Sequence, residues 1–266
     1  MRTVRFAAGW FAGLCLCAAM CAARAQGTVT GQPTMARDAD PNWEVATVKP
    51  SDPNANNASF DVRGRHVIIG NQPVEIMLLM AYGVQKSQIV GAPDWVKTER
   101  FDVDGVPNVD GEPDLQQFQS LVRKLLVERF GLRLHHEERE MPVFALTTMK
   151  GGPKMDASKG DPNGHANNEG TSGNGRQIRK FTNTSMSDLA LMLLIYVDRP
   201  VVDQTALKGR YDFRLLWTAD ETHEAAADAP PGLFTAIQEQ IGLKLEPVKA
   251  PADVLVVDSV ERPSAN

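Results

Sequence analysis

Asn71-Gln72-Pro73-Val74 and Asn183-Thr184-Ser185-Met186 each stand where a helix is about to begin, 112 residues apart. Ile89-Val90 and Val201-Val202 share that spacing. Arg100-Phe101-Asp102-Val103 matches Arg210-Tyr211-Asp212-Phe213 at 110. Phe130-Gly131-Leu132-Arg133-Leu134 matches Ile241-Gly242-Leu243-Lys244-Leu245 at 111, and Val143-Phe144-Ala145-Leu146 matches Val254-Leu255-Val256-Val257 at 111. A nearly constant offset over five anchors is the mark of an internal duplication. It predicts an α+β fold of two tandem pseudo-repeats. Each reads β-α-β-β-α-β-β, with small, mainly antiparallel sheets packed by helices. The halves are expected to pack as a pseudo-dimer with a groove between them.

Working outward, Trp43 to Val48 alternates and is β-branched, as a strand requires. Phe60 to Ile69 reads as a hairpin with Gly64 in its turn. Asn71 is expected to cap a helix over Val74–Val84, with Pro73 near its first turn. That helix is apolar on most faces, which implies deep burial. A second helix runs from about Pro113 to Phe130 and carries one apolar stripe. Gly131 stops it. Leu132–His136 and Val143–Met149 are expected to form an antiparallel pair. Ser185 with Asp188 makes a capping box for the first helix of the second half. Residues 151–177 hold seven glycines and few large apolar side chains, and read as a disordered loop. A second break spans 218–231. The domain plan is therefore a signal peptide (1–25), a flexible leader (26–42), a first α+β repeat (43–150), the Gly-rich loop (151–177) and a second repeat (178–266).

The leader sets the compartment. Arg2 and Arg5, an apolar run from Phe6 to about Ala22, and Ala23-Arg24-Ala25 have the three parts of a secretory signal peptide. An uncleaved membrane anchor is one alternative, and a lipoprotein is another, disfavoured because Met20 before Cys21 and Leu14 before Cys15 are poor neighbours for a lipid-modified cysteine. The chain of 266 residues has a net charge of −5, and removal of 1–25 leaves 25 basic against 33 acidic residues, or −8. That balance argues against a nucleic-acid partner. All three cysteines (Cys15, Cys17, Cys21) leave with the leader. A thiol nucleophile, a disulfide and a thiolate metal site are thereby excluded from the mature chain. No second apolar run is long enough to span a membrane. The expected location is periplasmic or extracellular.

Several stretches together resemble one family. They are Trp43 to Ser51, Gly151-Gly152-Pro153-Lys154, Arg199-Pro200-Val201-Val202-Asp203, Gly209-Arg210-Tyr211-Asp212-Phe213, Leu233 to Pro247, and the tail from Val254. The chain resembles the uncharacterised soil-associated bacterial protein family, a domain of unknown function, over nearly its whole mature length. The resemblance implies an exported protein with no established activity. Some members carry the domain beside an antirepressor-type membrane metallopeptidase, which implies sensing or binding outside the membrane. No catalytic residues carry over. The β-α-β-β pattern is also similar to the short N-terminal domains of secretins and TonB-dependent receptors.

Candidate chemistry is sparse. His135 and His136 are adjacent on a predicted strand, so they point to opposite faces and do not share an ion. No metal and no cofactor is expected. Ser172 lies in the Gly-rich loop, and no Gly-x-Ser-x-Gly elbow is present. No catalytic residue is assigned. The candidate ligand-binding residues are Arg100, Asp102, Arg210, Asp212 and Trp95. Alternation puts each Arg and its Asp on one strand face, as a structural ion pair or as a carboxylate- or sugar-binding group. Trp95, in a turn, is a core plug or a stacking platform. The expected function is a non-enzymatic binding, interaction or sensing module of the bacterial envelope, whose partner is an envelope protein, peptide or glycan. The alternatives are an exported hydrolase with an unfamiliar site and an oligomerising envelope scaffold.

Overall fold

The structure is a computed structural model and describes residues 34–173, 175–218 and 230–263. The expected signal peptide lies outside the described residues, as does the leader before residue 34. Most of the break at 218–231 lies outside them too.

The first half runs β1 (Trp43–Pro50), β2 (Ser59–Arg63), β3 (His66–Pro73), α1 (Val74–Tyr82), β4 (Ile89–Val90), α2 (Trp95–Thr98), β5 (Arg100–Pro107), α3 (Leu115–Phe130) and β6 (Arg133–Thr148). The second runs β7 (Asp156–Ala157), β8 (Asn167–Gly173), β9 (Arg176–Thr184), α4 (Met186–Leu193), β10 (Val201–Asp203), β11 (Tyr211–Thr218), α5 (Leu233–Ala236) and β12 (Leu243–Ser259). A π turn, Ile237–Ile241, continues α5. The fold is mixed α+β. Two of its sheets are antiparallel, in the orders β1-β5-β3-β2 and β7-β11-β9-β8. The third, β10-β6-β12-β4, joins the halves.

That joining sheet replaces the expected strand pairs. Leu132–His136 and Val143–Met149 are not two strands. They are the ends of one 16-residue strand, β6. It pairs antiparallel with the 17-residue β12 over almost its full length. Pro142 and the charged run before it resemble a turn in sequence, but the ladder absorbs the prolines. The Phe144 N–H donates to Pro200 O, away from β12. Backbone donors alternate in direction along a strand, so the Pro142 nitrogen faces the same way. Pro247 lies opposite Phe144 and Pro251 opposite Glu140, on the same parity. None of the three removes a β6–β12 hydrogen bond.

Each long strand begins on one core and ends on the other. Leu134 of β6 packs against the first core, with Phe130, Leu121 and Ile69, while Phe144 and Leu146 belong to the second, with Trp217 and Phe181. In β12 the order reverses. Leu243 and Leu245 lie in the second core and Val257 in the first. β4 pairs with β12 and β10 with β6, both parallel.

The helices follow local rules with one exception. Asp114 and Gln117 form a capping box for α3, and Gly131 ends it at φ 56°. The expected box of Ser185 and Asp188 caps α4. Asn71, however, does not cap α1. Pro73 holds the N-cap position, and Asn71 sits two residues earlier at φ 51°.

The stretch 151–177 also differs from the expected disorder, since it carries β7, β8 and the start of β9. Every residue of β8 is exposed, so its Gly/Asn/Ser composition reflects a solvated edge rather than missing structure. Residues 34–42 are docked in the same way. The side chain of Met35 is buried, its N–H donates to Glu112 O, and Gln117 donates to Ala36 O.

Candidate functional site

α1 is short and apolar nearly all round. Val74, Met77, Leu78 and Ala81 face the first core. Ile76, Leu79 and Met80 are left over, and they line a cleft of about 670 Å³ between the halves. The opposite wall is Leu191, Met192, Leu194 and Ile195 from α4 and its end, with Phe181 of β9 beneath. α3 contributes Leu115 at one mouth. Leu115 is 55% exposed and Ile195 72%, so two large apolar side chains stand open to water at the rim. A concave, mostly apolar site of this size suits a small molecule, for which about 300–1,000 Å³ is usual.

The third wall is the chain before β8. His165, Ala166 and Asn168 reach across to the N-terminus of α3. His165 Nδ1 lies 2.6 Å from Asp114 Oδ2, and Arg37 Nη1 lies 3.3 Å from Asp161 Oδ2. These two contacts tie the wall to the first half. At the far end Gln85 donates to Leu194 O and Val197 O. Two aspartates (Asp114, Asp188), one histidine and no lysine or arginine line the cleft. Asp188 accepts from Ser185 and pairs with Arg210 at 3.3 Å.

The expected site residues lie elsewhere, and they do not converge. Arg100 and Asp102 grip one backbone unit rather than each other. Asp102 Oδ1 accepts from the Asn71 N–H at 2.9 Å, and Arg100 Nη1 donates to Asn71 O at 2.8 Å. Arg210 and Asp212 do the same to Asn183, at 2.6 and 2.7 Å. Asn183 is at φ 54°. A left-handed non-glycine residue costs about 1–3 kcal/mol, and two hydrogen bonds to charged groups at about 1.5–3 kcal/mol each offset that. The backbone bond from Asn183 holds the Asp212 carboxyl below its ordinary range, with help from Ser158. Trp95 is half-buried against Phe101, edge to face at 6.4 Å, with Arg262 over its ring at 5.1 Å.

The two histidines occupy opposite faces of β6. His135 meets Asp258 at 2.9 Å and Glu137 at 3.2 Å, and both carboxylates raise its pKa, Asp258 more. His136 meets Asp253 at 2.8 Å. Among the described residues no group of three His, Cys, Asp or Glu side chains is placed to hold a metal. No helix among them is long and apolar enough to cross a membrane. A groove between the halves is expected from the duplication, but its lining is not, because α1 signals burial without saying which face meets what.

A family described as "Protein of unknown function (DUF3738)" matches residues 75–260. The chain belongs to that family. The match takes in both cleft helices and both aspartates of the backbone grips. It agrees with the resemblance as far as a domain of unknown function, and it carries nothing about soil or export. No curated protein and no solved structure matches the chain.

Proposed function

We propose that this DUF3738 protein is an exported, non-enzymatic binding module that takes a small, apolar, uncharged molecule between its two halves. One observation carries the reading. The cleft leaves ten apolar side chains, from α1, α3, β9, α4 and the turns just after α1 and α4, around about 670 Å³ of space. Burial of that apolar surface is favourable at about 25 cal/mol per Å². The absence of lysine and arginine from the lining disfavours an anionic ligand. Among the described residues no serine hydroxyl bonds a histidine ring, which favours binding over hydrolysis by a serine triad. Export rests on the sequence of residues 1–25 alone.

The duplication belongs to the same reading. The two halves are copies of one unit, and the cleft is the seam between them. The matching strand orders of the outer sheets and the two backbone grips support this.

The experiment is fluorescence titration of N-phenyl-1-naphthylamine, a neutral apolar dye, into the full chain. Saturable binding at one site, weakened at least tenfold by Met192→Trp and by Ile195→Glu, is expected. A folded Met192→Trp protein that binds as the wild type does would contradict the reading.

A further inference from the structure

The two backbone grips differ in what is left over, and the difference marks a second site. Arg210 is spent. Its Nη1 serves Asn183 O and Asp188, and its Nε donates to Pro162 O at 2.8 Å. Residues 158–165 close over it. Gly160 packs so near that a Cβ there would lie 3.0 Å from Asn183 Oδ1. In the first half the position of Asp188 is taken by Ile76. Among the described residues Arg100 makes one hydrogen bond, to Asn71 O, and Nε and Nη2 stay open. Where residues 158–165 cover Arg210, Arg100 borders an open basin of about 810 Å³ between the 51–58 loop and the start of β5.

The basin has the parts of a recognition site. Arg100 is exposed, and its one bond anchors Nη1 to the backbone of the buried Asn71, which lowers the side-chain freedom to be lost on binding. The open edge presents two parallel N–H donors, the fork that suits a carboxylate. Asn71, 6% exposed, lines the same basin, and its buried Oδ1 has no donor among the described residues, a feature it shares with Asn183 Oδ1 in the covered half. The Asp52 carboxylate, whose Oδ1 already accepts from Asn54 N–H and Nδ2, leaves its Oδ2 as a second, negatively charged acceptor. Glu99 is occupied by Arg262 at 2.6 Å, so it does not compete for Arg100. One open cation beside the Asp52 carboxylate disfavours the more highly charged phosphate relative to a singly charged acid, and that carboxylate calls for an O–H or N–H donor on the ligand.

We infer that this basin binds a small carboxylate bearing an adjacent hydroxyl or amino group, held by Arg100. The site is separate from the cleft and does not depend on it.

The test is calorimetric titration of glycolate, acetate and inorganic phosphate into the full chain at matched ionic strength. Glycolate is expected to bind saturably and at least fivefold more tightly than acetate or phosphate. Arg100→Lys, which keeps the charge and loses the fork, should weaken glycolate at least tenfold. Ala58→Trp fills the exposed wall of the basin without touching the grip, so it should abolish binding at an unchanged unfolding midpoint. If Arg100→Lys fails to fold, Ala58→Trp decides alone. No saturable glycolate binding, phosphate binding as tight as glycolate, or a folded Ala58→Trp protein that still binds would each overturn the proposal.

Discussion

Asn71 and Asn183 stand 112 residues apart in sequence and share a left-handed backbone, at φ 51° and 54°. Each is gripped by an arginine on its carbonyl and an aspartate on its N–H. The grip fixes the corner between a strand and the helix after it. Those helices, α1 and α4, are the two walls of the cleft, so the corners set the width of the site.

Removing the grip should therefore loosen the fold. Asp102→Ala leaves the Asn71 N–H without its partner and should cost about 1–3 kcal/mol. Asn71→Ala loses the bond to Ala55 O and pays the left-handed strain, while Asn71→Gly pays no strain. Urea unfolding should rank Asn71→Ala as less stable than Asn71→Gly. The reverse order would show that the backbone angle is not what Asn71 is kept for.

The crossed strands predict that neither half folds alone. A fragment of residues 34–150 lacks β12, and with it Val257 in the first core and the ladder partner of β6. Its circular dichroism should show no cooperative thermal transition. Mixing it with residues 151–263 should restore one. A sharp transition in the isolated fragment would contradict the shared-sheet account.

Acid and base should act on different groups. The Asp212 carboxyl is held below its ordinary value by the Asn183 N–H first, then Ser158. A lowered folded pKa gives stability that is present above the unfolded value and is lost as pH falls through the folded one. Asp212→Asn should therefore lose stability at neutral pH and show a shallower loss at acid pH. His135 shifts upward through Asp258 and then Glu137. Its contribution is present below the ordinary histidine value and fades as pH rises through the raised one. His135→Gln should flatten the stability profile on that alkaline side. Both are read from denaturation midpoints against pH, and unchanged profiles would show the two groups to be energetically silent.

The cleft should discriminate by charge. With two aspartates and no basic residue in its lining, it should bind decanol at least tenfold more tightly than decanoate at neutral pH. Displacement of the naphthylamine dye measures both. Equal displacement would mean that the aspartates, already engaged by His165 and Arg210, leave no field in the cleft.

Local signals in the sequence decide the structure where one residue type does one job. Gly131 stops α3, and Ser185 with Asp188 caps α4, because each is set by the neighbouring few residues. Misreadings arose where a distant partner decided. Pro142 marks a turn only if no ladder spares its missing donor. The glycines of β8 mark disorder only if no β9 lies beside them. Met35 marks a leader only if nothing covers it. Asn71 looked like a cap because its true partners, Arg100 and Asp102, lie about 30 residues on. Arg100 with Asp102, and Arg210 with Asp212, read as an ion pair or a ligand-binding group, but each pair holds a backbone corner instead of bonding each other. A groove between the halves follows from the duplication, but its walls do not, since they include the side of α1 that is only partly used by its own core.

Methionine-methyl NMR tests the central claim most directly. Of the ten methionines, Met80 and Met192 line opposite walls of the cleft, while Met77 lies in the first core. On titration with N-phenyl-1-naphthylamine the account predicts that the Met80 and Met192 methyl signals shift together with one dissociation constant, while that of Met77 stays in place. Signals that stay fixed, or shifts confined to other methionines, would contradict a ligand site between the two halves.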